Sequence, residues 1–514
     1  MVRSRSLAKA VVPKVRLSTQ GYLRLAVMQA LLVLPQQNYA APAFGSAAWF
    51  AQTQTATPNA ATANQTANNT VVVGGVATPQ QAIKQADRSL ENLRRTLNTV
   101  MQTQRLQQMA AKNLLANSNV ANGLANGGLQ VAAGAEADAK NPSQCVANFN
   151  CLWQNANLPT QNTVDGQTTV NVQQTAAKAI LTWDSFNVGA QTTLNFDQKL
   201  GTQSDGKNDW IALNRINATS SPSQILGKIK ADGSVYLINP NGIIFGQGSQ
   251  VNVHSLLASS LPLYLNSQAK SLMTVDAGYL SASNKLFLET GINSVGTNSA
   301  AGNLLGINSG QTLSINDNGS VERGQNGQAD TINYQLPKDI NIEQGANIQV
   351  GNLGYALIAA PNVNNQGAIS TDGGQVILAA GLGVALKNPA SGSLLLNPVI
   401  TGKLLDTANN NKDVTPVGTV SNTGLIQANR GDIRLQAGHI KQDGVIVATT
   451  SISRAGSINV SAQDEQATDN AQARTGSVVF GSNSVTTLLP DKLLSDNLYL
   501  QVLANMAGQE NNLL

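Results

Sequence analysis

The sequence predicts a mainly β chain: a parallel β-helix, or solenoid, with an amino-terminal helical extension and flexible linkers. Three observations predict it. First, one pattern recurs. Asn365-Gln-Gly-Ala-Ile-Ser-Thr-Asp-Gly-Gly-Gln-Val-Ile-Leu378 matches Asn422-Thr-Gly-Leu-Ile-Gln-Ala-Asn-Arg-Gly-Asp-Ile-Arg-Leu435, and Asp443-Gly-Val-Ile-Val447, Gly456-Ser-Ile-Asn-Val460 and Gly476-Ser-Val-Val-Phe480 follow. Gly431, Gly456 and Gly476 fall at intervals typical of solenoid repeats. Second, only 12% of the 514 residues are charged and 4% aromatic, with 45 glycines, against about 25% charged in an ordinary domain. A polar but weakly charged chain suits stacked coils with turn-rich corners. Third, Thr168-Thr-Val-Asn-Val172 and Thr192-Thr-Leu-Asn-Phe196 alternate polar and apolar residues, as half-buried strands do. One coil cannot bury its apolar side alone. Stacking at about 4.8 Å per rung gives each strand two neighbours and a continuous core. The ends of such a stack need caps, because they expose strand edges.

Residues 1–43 read as an export signal. Basic residues run from Arg3 to Arg24, Leu25–Leu34 is apolar, Pro35 ends the stretch, and Ala41-Pro42-Ala43 suits a signal peptidase, with Ala40 an alternative. The apolar run falls short of the roughly 20 residues that span a bilayer. The formal charge of +4 includes Arg3, Arg5, Lys9, Lys14 and Arg16, so the rest of the chain is close to neutral. No nucleic-acid or anionic-membrane partner is indicated. Residues 44–77 are Ala/Thr/Asn/Gln-rich and read as a linker.

Residues 78–116 read as a helical extension. Pro79 follows Thr78 at the helix start, and Ile83, Ala86, Leu90, Leu93, Leu97 and Val100 recur in steps of three and four. An intramolecular helix or hairpin is the simplest arrangement, because the heptads do not continue past Val100. Residues 117–159 return to linker composition and contain Cys145 and Cys151. In an exported chain these read as a small disulfide, with free thiols the alternative. So short a loop restricts the unfolded chain by about 2 kcal/mol at best. Two thiols without a histidine near them in sequence make an incomplete metal site. Residues 488–514 have a helical look, with Leu493, Leu494, Leu498, Leu500 and Val502, and are expected to cap the far end.

Catalytic groups are sparse, and the sequence is read as that of a non-enzyme without cofactor. His254 and His439 are expected at rung turns, near no nucleophile motif. Asp205, Asp209 and Asp232 sit in polar loops. Asp464, Glu465 and Asp469 form the densest acidic group, without an opposed carboxylate in the pattern. Gly351-Asn-Leu-Gly354 lacks the Lys-Ser/Thr of a phosphate loop.

The most specific stretch is Asn239-Pro240-Asn241-Gly242-Ile243-Ile244-Phe245-Gly246. It joins a tight-turn signal to a short apolar strand. Alone it indicates a β corner. Around it lie Ile180-Leu-Thr-Trp-Asp-Ser-Phe-Asn-Val-Gly189, Ala212-Leu-Asn-Arg-Ile216, Ser221-Pro-Ser-Gln-Ile-Leu-Gly-Lys-Ile229, Gly233-Ser-Val-Tyr-Leu-Ile238 and Gly248-Ser-Gln-Val-Asn-Val253. In this order they resemble the amino-terminal secretion domain of the filamentous haemagglutinin family, the exoproteins of Gram-negative two-partner secretion. The resemblance is close from Thr160 to Leu265 and looser beyond.

The resemblance implies a right-handed β-helix, with the secretion domain over 160–400 and further rungs over 401–487. It implies passage through the Sec machinery and then through a cognate outer-membrane β-barrel transporter with periplasmic domains. The product would be secreted or surface-bound, an adhesin or haemagglutinin meeting a host-cell carbohydrate or protein. It makes Asn239, Pro240, Asn241, Gly242 and Ile243 the secretion motif, and Trp183, Phe186, Asn187 and Phe245 residues of the secretion-domain core. An earlier Asn-Pro-Asn-Leu motif, frequent in the family, is missing; the segment from Trp183 to Asn187 is its nearest substitute. Two alternatives remain: a β-helix carbohydrate lyase or hydrolase, and the amino-terminal part of a contact-dependent toxin or haemolysin.

Overall fold

The computed structural model describes residues 120–140, 145, 151–204, 206, 208–217, 221–263, 277–290, 305–306, 311–315, 321–325, 328–330, 336–387, 395–401, 403–406, 413–415, 418–451, 454–463 and 476–490, with scattered helical residues between 94 and 109. The expected signal peptide, the linker expected over 44–77 and the leucine-rich stretch beyond 490 lie outside these residues. In the helical extension Arg94, Arg95, Asn98, Met101, Gln102, Arg105 and Met109 are α-helical and exposed.

From Lys178 onward the chain coils through three faces in turn. Face one carries seven strands, from Ser223–Ile225 to Ser477–Phe480. Face two carries ten, from Thr160–Val164 to Val485–Pro490, and face three ten, from Leu129–Val131 to Ser457–Ala462. Within each face the pairing is parallel, except for three strands at the amino-terminal end: Leu129–Val131, Trp153–Gln154 and Thr160–Val164. This is a stacked parallel β-helix closed at one end by antiparallel pairs.

Strand alternation builds the core. On face three, Leu181, Asn214, Leu237, Ala258, Ile358, Leu378 and Leu435 stand one above another and point inward. The matched segments noted in the sequence are stacked rungs: Ala368 lies under Leu425 and Gln375 under Asp432. Asn365 Nδ2 donates to Asn422 Oδ1 at 2.7 Å, 57 positions away, and Asn422 Nδ2 donates to Gln442 Oε1 at 2.7 Å, 20 positions away. These amides line the corner between faces one and two inside the core, where they partner one another.

One expectation differs from the structure. Residues 117–159 are not merely a linker. Leu129–Val131 and Trp153–Gln154 pair with Lys178–Phe186, and Ala135–Lys140 is a short helix. Leu129, Trp153 and the joined Cys145 and Cys151 are buried, so this segment is the cap. Beyond residue 400 the stack continues on all three faces: Asn362–Asn365 pairs with Thr419–Asn422, and Gln375–Ala380 with Asp432–Ala437.

Two excursions leave the rungs. Ile243 pairs with Ile340, 97 positions on (340 − 243). The first excursion includes a helix, Ala277–Thr290, and the second the strands Gly383–Lys387 and Asn397–Thr401. Together they cover the outer side of face three, where Ile180, Leu213, Tyr236, Leu257, Leu357 and Ile377 form a second apolar column. Phe287 packs edge-on against Tyr236 with ring centroids 6.2 Å apart. Lys178 Nζ donates to the Leu288 carbonyl at 2.7 Å, a cation at the helix carboxyl end. Arg215 donates to Ser283 Oγ at 3.0 Å.

Candidate functional site

The corner Asn239-Pro240-Asn241-Gly242 connects a strand of face three, Ser234–Ile238, to one of face one, Ile243–Phe245. The Gly242 amide donates to the Asn239 carbonyl at 2.9 Å, closing a four-residue turn. Pro240 at the second position and a φ at Asn241 outside the positive region fit a type I turn. Gly242 then takes φ +95, which a glycine adopts without steric cost. A Cβ there would also stand 2.7 Å from the Asp339 carbonyl oxygen.

The corner is bound on several sides. Asn239 Nδ2 donates to Ser223 Oγ at 2.8 Å on the rung before. Asn239 Oδ1 accepts from the Asn241 amide at 3.0 Å and from Asn241 Nδ2 at 3.1 Å. The Asn239 amide donates to the Ser259 carbonyl at 2.9 Å, and the Pro240 carbonyl accepts from the Lys338 amide at 3.0 Å. The chain therefore rejoins the stack, after its first excursion, on top of this corner. Asn239 is 0% exposed and Asn241 7%. Ile243 and Phe245 point into the core.

The other resemblance-derived residues sit at the capped end. Trp183 is fully buried, its ring 5.2 Å from Trp153 and 5.4 Å from Phe186, edge-on to both. Its Nε1 donates to Asn214 Oδ1 at 3.0 Å, so two segments of the resemblance, Trp–Phe–Asn and Asn-Arg-Ile, meet in one bond. Asn187 Oδ1 accepts from the Gln224 amide at 2.8 Å, and its Nδ2 donates to the Gly127 carbonyl at 3.2 Å. The Trp183 group and the Asn239 corner are linked through Asn214, whose Nδ2 donates to the Tyr236 carbonyl at 3.2 Å. Sequence reasoning missed Ser223, Ser259 and Asn214 as partners, because each lies on a different rung.

Cys145 and Cys151 form a disulfide across a separation of six. Asp138 lies beside them, with its ligand atom within 4.8 Å of both sulfurs. With the sulfurs joined to each other, neither thiolate is left for a metal. Asp138 instead accepts from the Leu152 amide at 2.6 Å, and the Cys151 carbonyl accepts from Asn284 Nδ2 at 3.1 Å, tying the loop to the Ala277–Thr290 helix.

His254 lies at a corner between faces two and three, against Gly351 and Gly354. Burial holds its pKa below the usual 6.5, partly opposed by Asp209. The fold thus favours the neutral ring. Its contribution to stability is full above pH 6.5 and falls as acid protonates the unfolded chain first. His254→Gln is expected to flatten the decline of stability below that pH, measured by urea midpoints across the acid range; an unchanged slope would count against it. His439 pairs with Ser477 Oγ at 2.8 Å on face one. Asp232 is exposed, and Asp205, Asp464, Glu465 and Asp469 lie outside the described residues.

A family comparison matches residues 150–470, more than half of the chain, to the TPS secretion domain. The chain belongs to the two-partner secretion family. TPS exoproteins cross the outer membrane through a partner transporter. Two Haemophilus influenzae proteins named heme/hemopexin-binding protein are 37% and 34% identical to this TPS chain over 94 residues, which is 18% of this chain and 9% and 10% of theirs. The match thus spans about a tenth of those relatives' length. Solved structures similar to the TPS chain include the HMW1 secretion domain from Haemophilus influenzae, 19% identical, covering 59% of this chain and 60% of that one with a TM-score of 0.35. The filamentous hemagglutinin secretion domain is 14% identical and covers 66% and 96%, with a TM-score of 0.30.

Proposed function

We propose that this TPS exoprotein is an adhesin of the haemagglutinin type, and that Asn239–Ile243 is read by its transporter before the chain folds. In this reading a Sec-dependent signal delivers the chain to the periplasm. There the transporter's periplasmic domains meet it in an extended state, adding a segment to a sheet edge. The burial of Asn239 and Asn241 is the observation that carries the timing. Side chains buried in the folded corner, with Asn239 Nδ2 bonded to Ser223 and the backbone held by Ser259 and Lys338, are accessible to a partner only in the unfolded chain. Once outside, Ile243–Phe245 offers the strand on which Ile340–Ile342 stacks, and folding draws the chain outward.

The polar outer side of face two supports a binding role over a catalytic one. Asn171, Asn195, Lys230, Asn252 and Gln349 stand in one column there, with no carboxylate among them. A host-cell carbohydrate or protein is the class of target we assign. Haem or haemopexin binding belongs to relatives of which the match covers a tenth, and nothing in this site favours it.

Two variants test the motif. Asn239→Ala with Asn241→Ala removes the side chains from both the unfolded and the folded chain. Ser223→Ala leaves the motif intact but removes the acceptor of the Asn239 side-chain Nδ2 in the folded corner, a loss of about 1–3 kcal/mol. Co-expressed with the cognate transporter, the double variant is expected to lower secretion several-fold more than Ser223→Ala. Equal secretion from the two would reduce the motif to a structural corner.

A further inference from the structure

The Asn239–Gly242 corner contains two asparagines, and they differ in chemical fate. An asparagine side chain is lost as ammonia when the backbone nitrogen of the next residue attacks its Cγ. Asn239 is followed by Pro240, whose nitrogen carries no hydrogen to give up, so that route is closed. Asn241 is followed by Gly242, which has no Cβ to crowd the approach. In the folded corner this pair is held away from reaction. The Gly242 N–H, whose proton must leave, donates to the Asn239 carbonyl at 2.9 Å. Asn241 Nδ2 donates to Asn239 Oδ1 at 3.1 Å, and the Asn241 amide donates to the same oxygen at 3.0 Å. The Asp339 carbonyl oxygen closes over Gly242. Asn241 is buried, so a base in the solvent has little access. The cap carries the opposite case. Asn126 and Gly127 are both exposed, and open space surrounds Gly127. At Asn122-Gly123 the pair is again held: Asn122 Oδ1 accepts from the Gln191 amide at 3.0 Å, and the Gly123 amide donates to Thr192 Oγ1 at 2.9 Å.

We propose that Asn241 is a deamidation site gated by folding: it stays intact while the corner is closed and converts to aspartate or isoaspartate while the chain is unfolded. Gly242 N gives its proton to water or hydroxide and bonds to Asn241 Cγ. The Cγ–Nδ2 bond breaks, and Nδ2 takes up a proton and leaves as ammonia. Water then opens the cyclic imide at either carbonyl, so one water is consumed for each ammonia released. Both products spoil the corner. A carboxylate oxygen replaces the Nδ2 donor and faces Asn239 Oδ1, an acceptor, in a buried place. Isoaspartate also adds a methylene to the backbone of the turn that sets Ile243–Phe245 in register with Ser223–Ile225. The step needs no transporter, so it stands apart from the reading of the motif proposed above. It makes the state of residue 241 a record of how long a chain remained unfolded.

The test uses the full secreted chain, incubated in mildly alkaline buffer either folded or unfolded in guanidinium chloride. Tandem mass spectrometry of proteolytic fragments follows Asn126 and Asn241 separately. In denaturant both are expected to convert. In the folded chain conversion at Asn241 is expected to slow several-fold more than conversion at Asn126. Conversion at Asn241 as fast in the folded as in the unfolded chain overturns the gating, and an Asn241 that survives in denaturant overturns the site. In the folded chain the rate follows the fraction of molecules whose corner is open. Ser223→Ala, which removes a bond to Asn239 without touching Asn241 or Gly242, should therefore raise the folded-state rate at Asn241 and leave that at Asn126 unchanged. Equal rates at Asn241 with and without Ser223 would overturn the corner as the gate. Asn241→Asp, co-expressed with the cognate transporter, is expected to lower the yield of folded exoprotein several-fold; an undiminished yield would overturn the claim that the product spoils the corner.

Discussion

Trp183→Ala is expected to destabilise the folded chain by about 3–5 kcal/mol. The ring is enclosed between Trp153 and Phe186, with centroids 5.2 and 5.4 Å away, at the point where the antiparallel cap meets the first parallel rungs. Alanine leaves a cavity at Lys178–Phe186, a strand paired on both sides that cannot shift to close it. It also removes the donor to Asn214 Oδ1, a buried acceptor. Trp183→Phe separates the two effects. It keeps most of the volume and leaves Asn214 Oδ1 unpaired, for about 1–3 kcal/mol. Urea unfolding followed by circular dichroism measures both. A change below about 1 kcal/mol for the alanine variant would refute the idea that this residue holds the cap to the stack.

Gly424→Ala is expected to act through the backbone. Gly367, Gly424 and Gly444 occupy one corner on successive rungs. A Cβ on Gly424 would stand 2.1 Å from the Gly367 carbonyl oxygen, and one on Gly444 would stand 2.3 Å from that of Gly424. The Gly367 oxygen already accepts the Leu425 amide at 2.8 Å, and the Gly424 oxygen accepts Val445 at 2.8 Å. No flexible side chain is present to yield, so the rungs must separate at the corner. The loss should reach or pass the upper end of the usual 1–3 kcal/mol for overpacking. Thr423→Ala, at the exposed neighbour, should stay within about 0.5 kcal/mol. Similar unfolding midpoints for the two variants would remove the close approach as a constraint.

The stack was legible in the sequence because a solenoid uses one corner repeatedly. Asn365 and Asn422 match in sequence and bond to each other in space. The spaced glycines were only partly informative. Gly431 and Gly456 share the corner into face three, whereas Gly476 precedes face one. The cap was hidden, because Leu129 and Trp153 sit in Asn/Gly/Ala-rich surroundings and their partners Phe186 and Leu181 follow 57 (186 − 129) and 28 (181 − 153) positions later. The covered outer side of face three also has a signal in the sequence. Ser234–Ile238 and Gln375–Ala380 are buried at every position, and their Val-Tyr-Leu-Ile and Val-Ile-Leu-Ala runs lack the alternation of a strand with one wet side. At the candidate site the turn was readable from Asn-Pro-Asn-Gly. Its enclosure by Ser223, Ser259 and Lys338 was not, because register across an excursion of unknown length is invisible to local pattern.

That excursion carries a thermodynamic consequence. Pairing Ile243 with Ile340 closes a loop of 97 positions (340 − 243), where the Asn422–Gln442 step closes 20. The closure entropy grows only with the logarithm of length, so the longer loop costs about 1.4 kcal/mol more. A few added side chains buried against Tyr236 and Leu257 offset that. A β-helix of this kind can thus accept large insertions between rungs with little loss of stability, provided that the chain returns to a corner shaped to receive it.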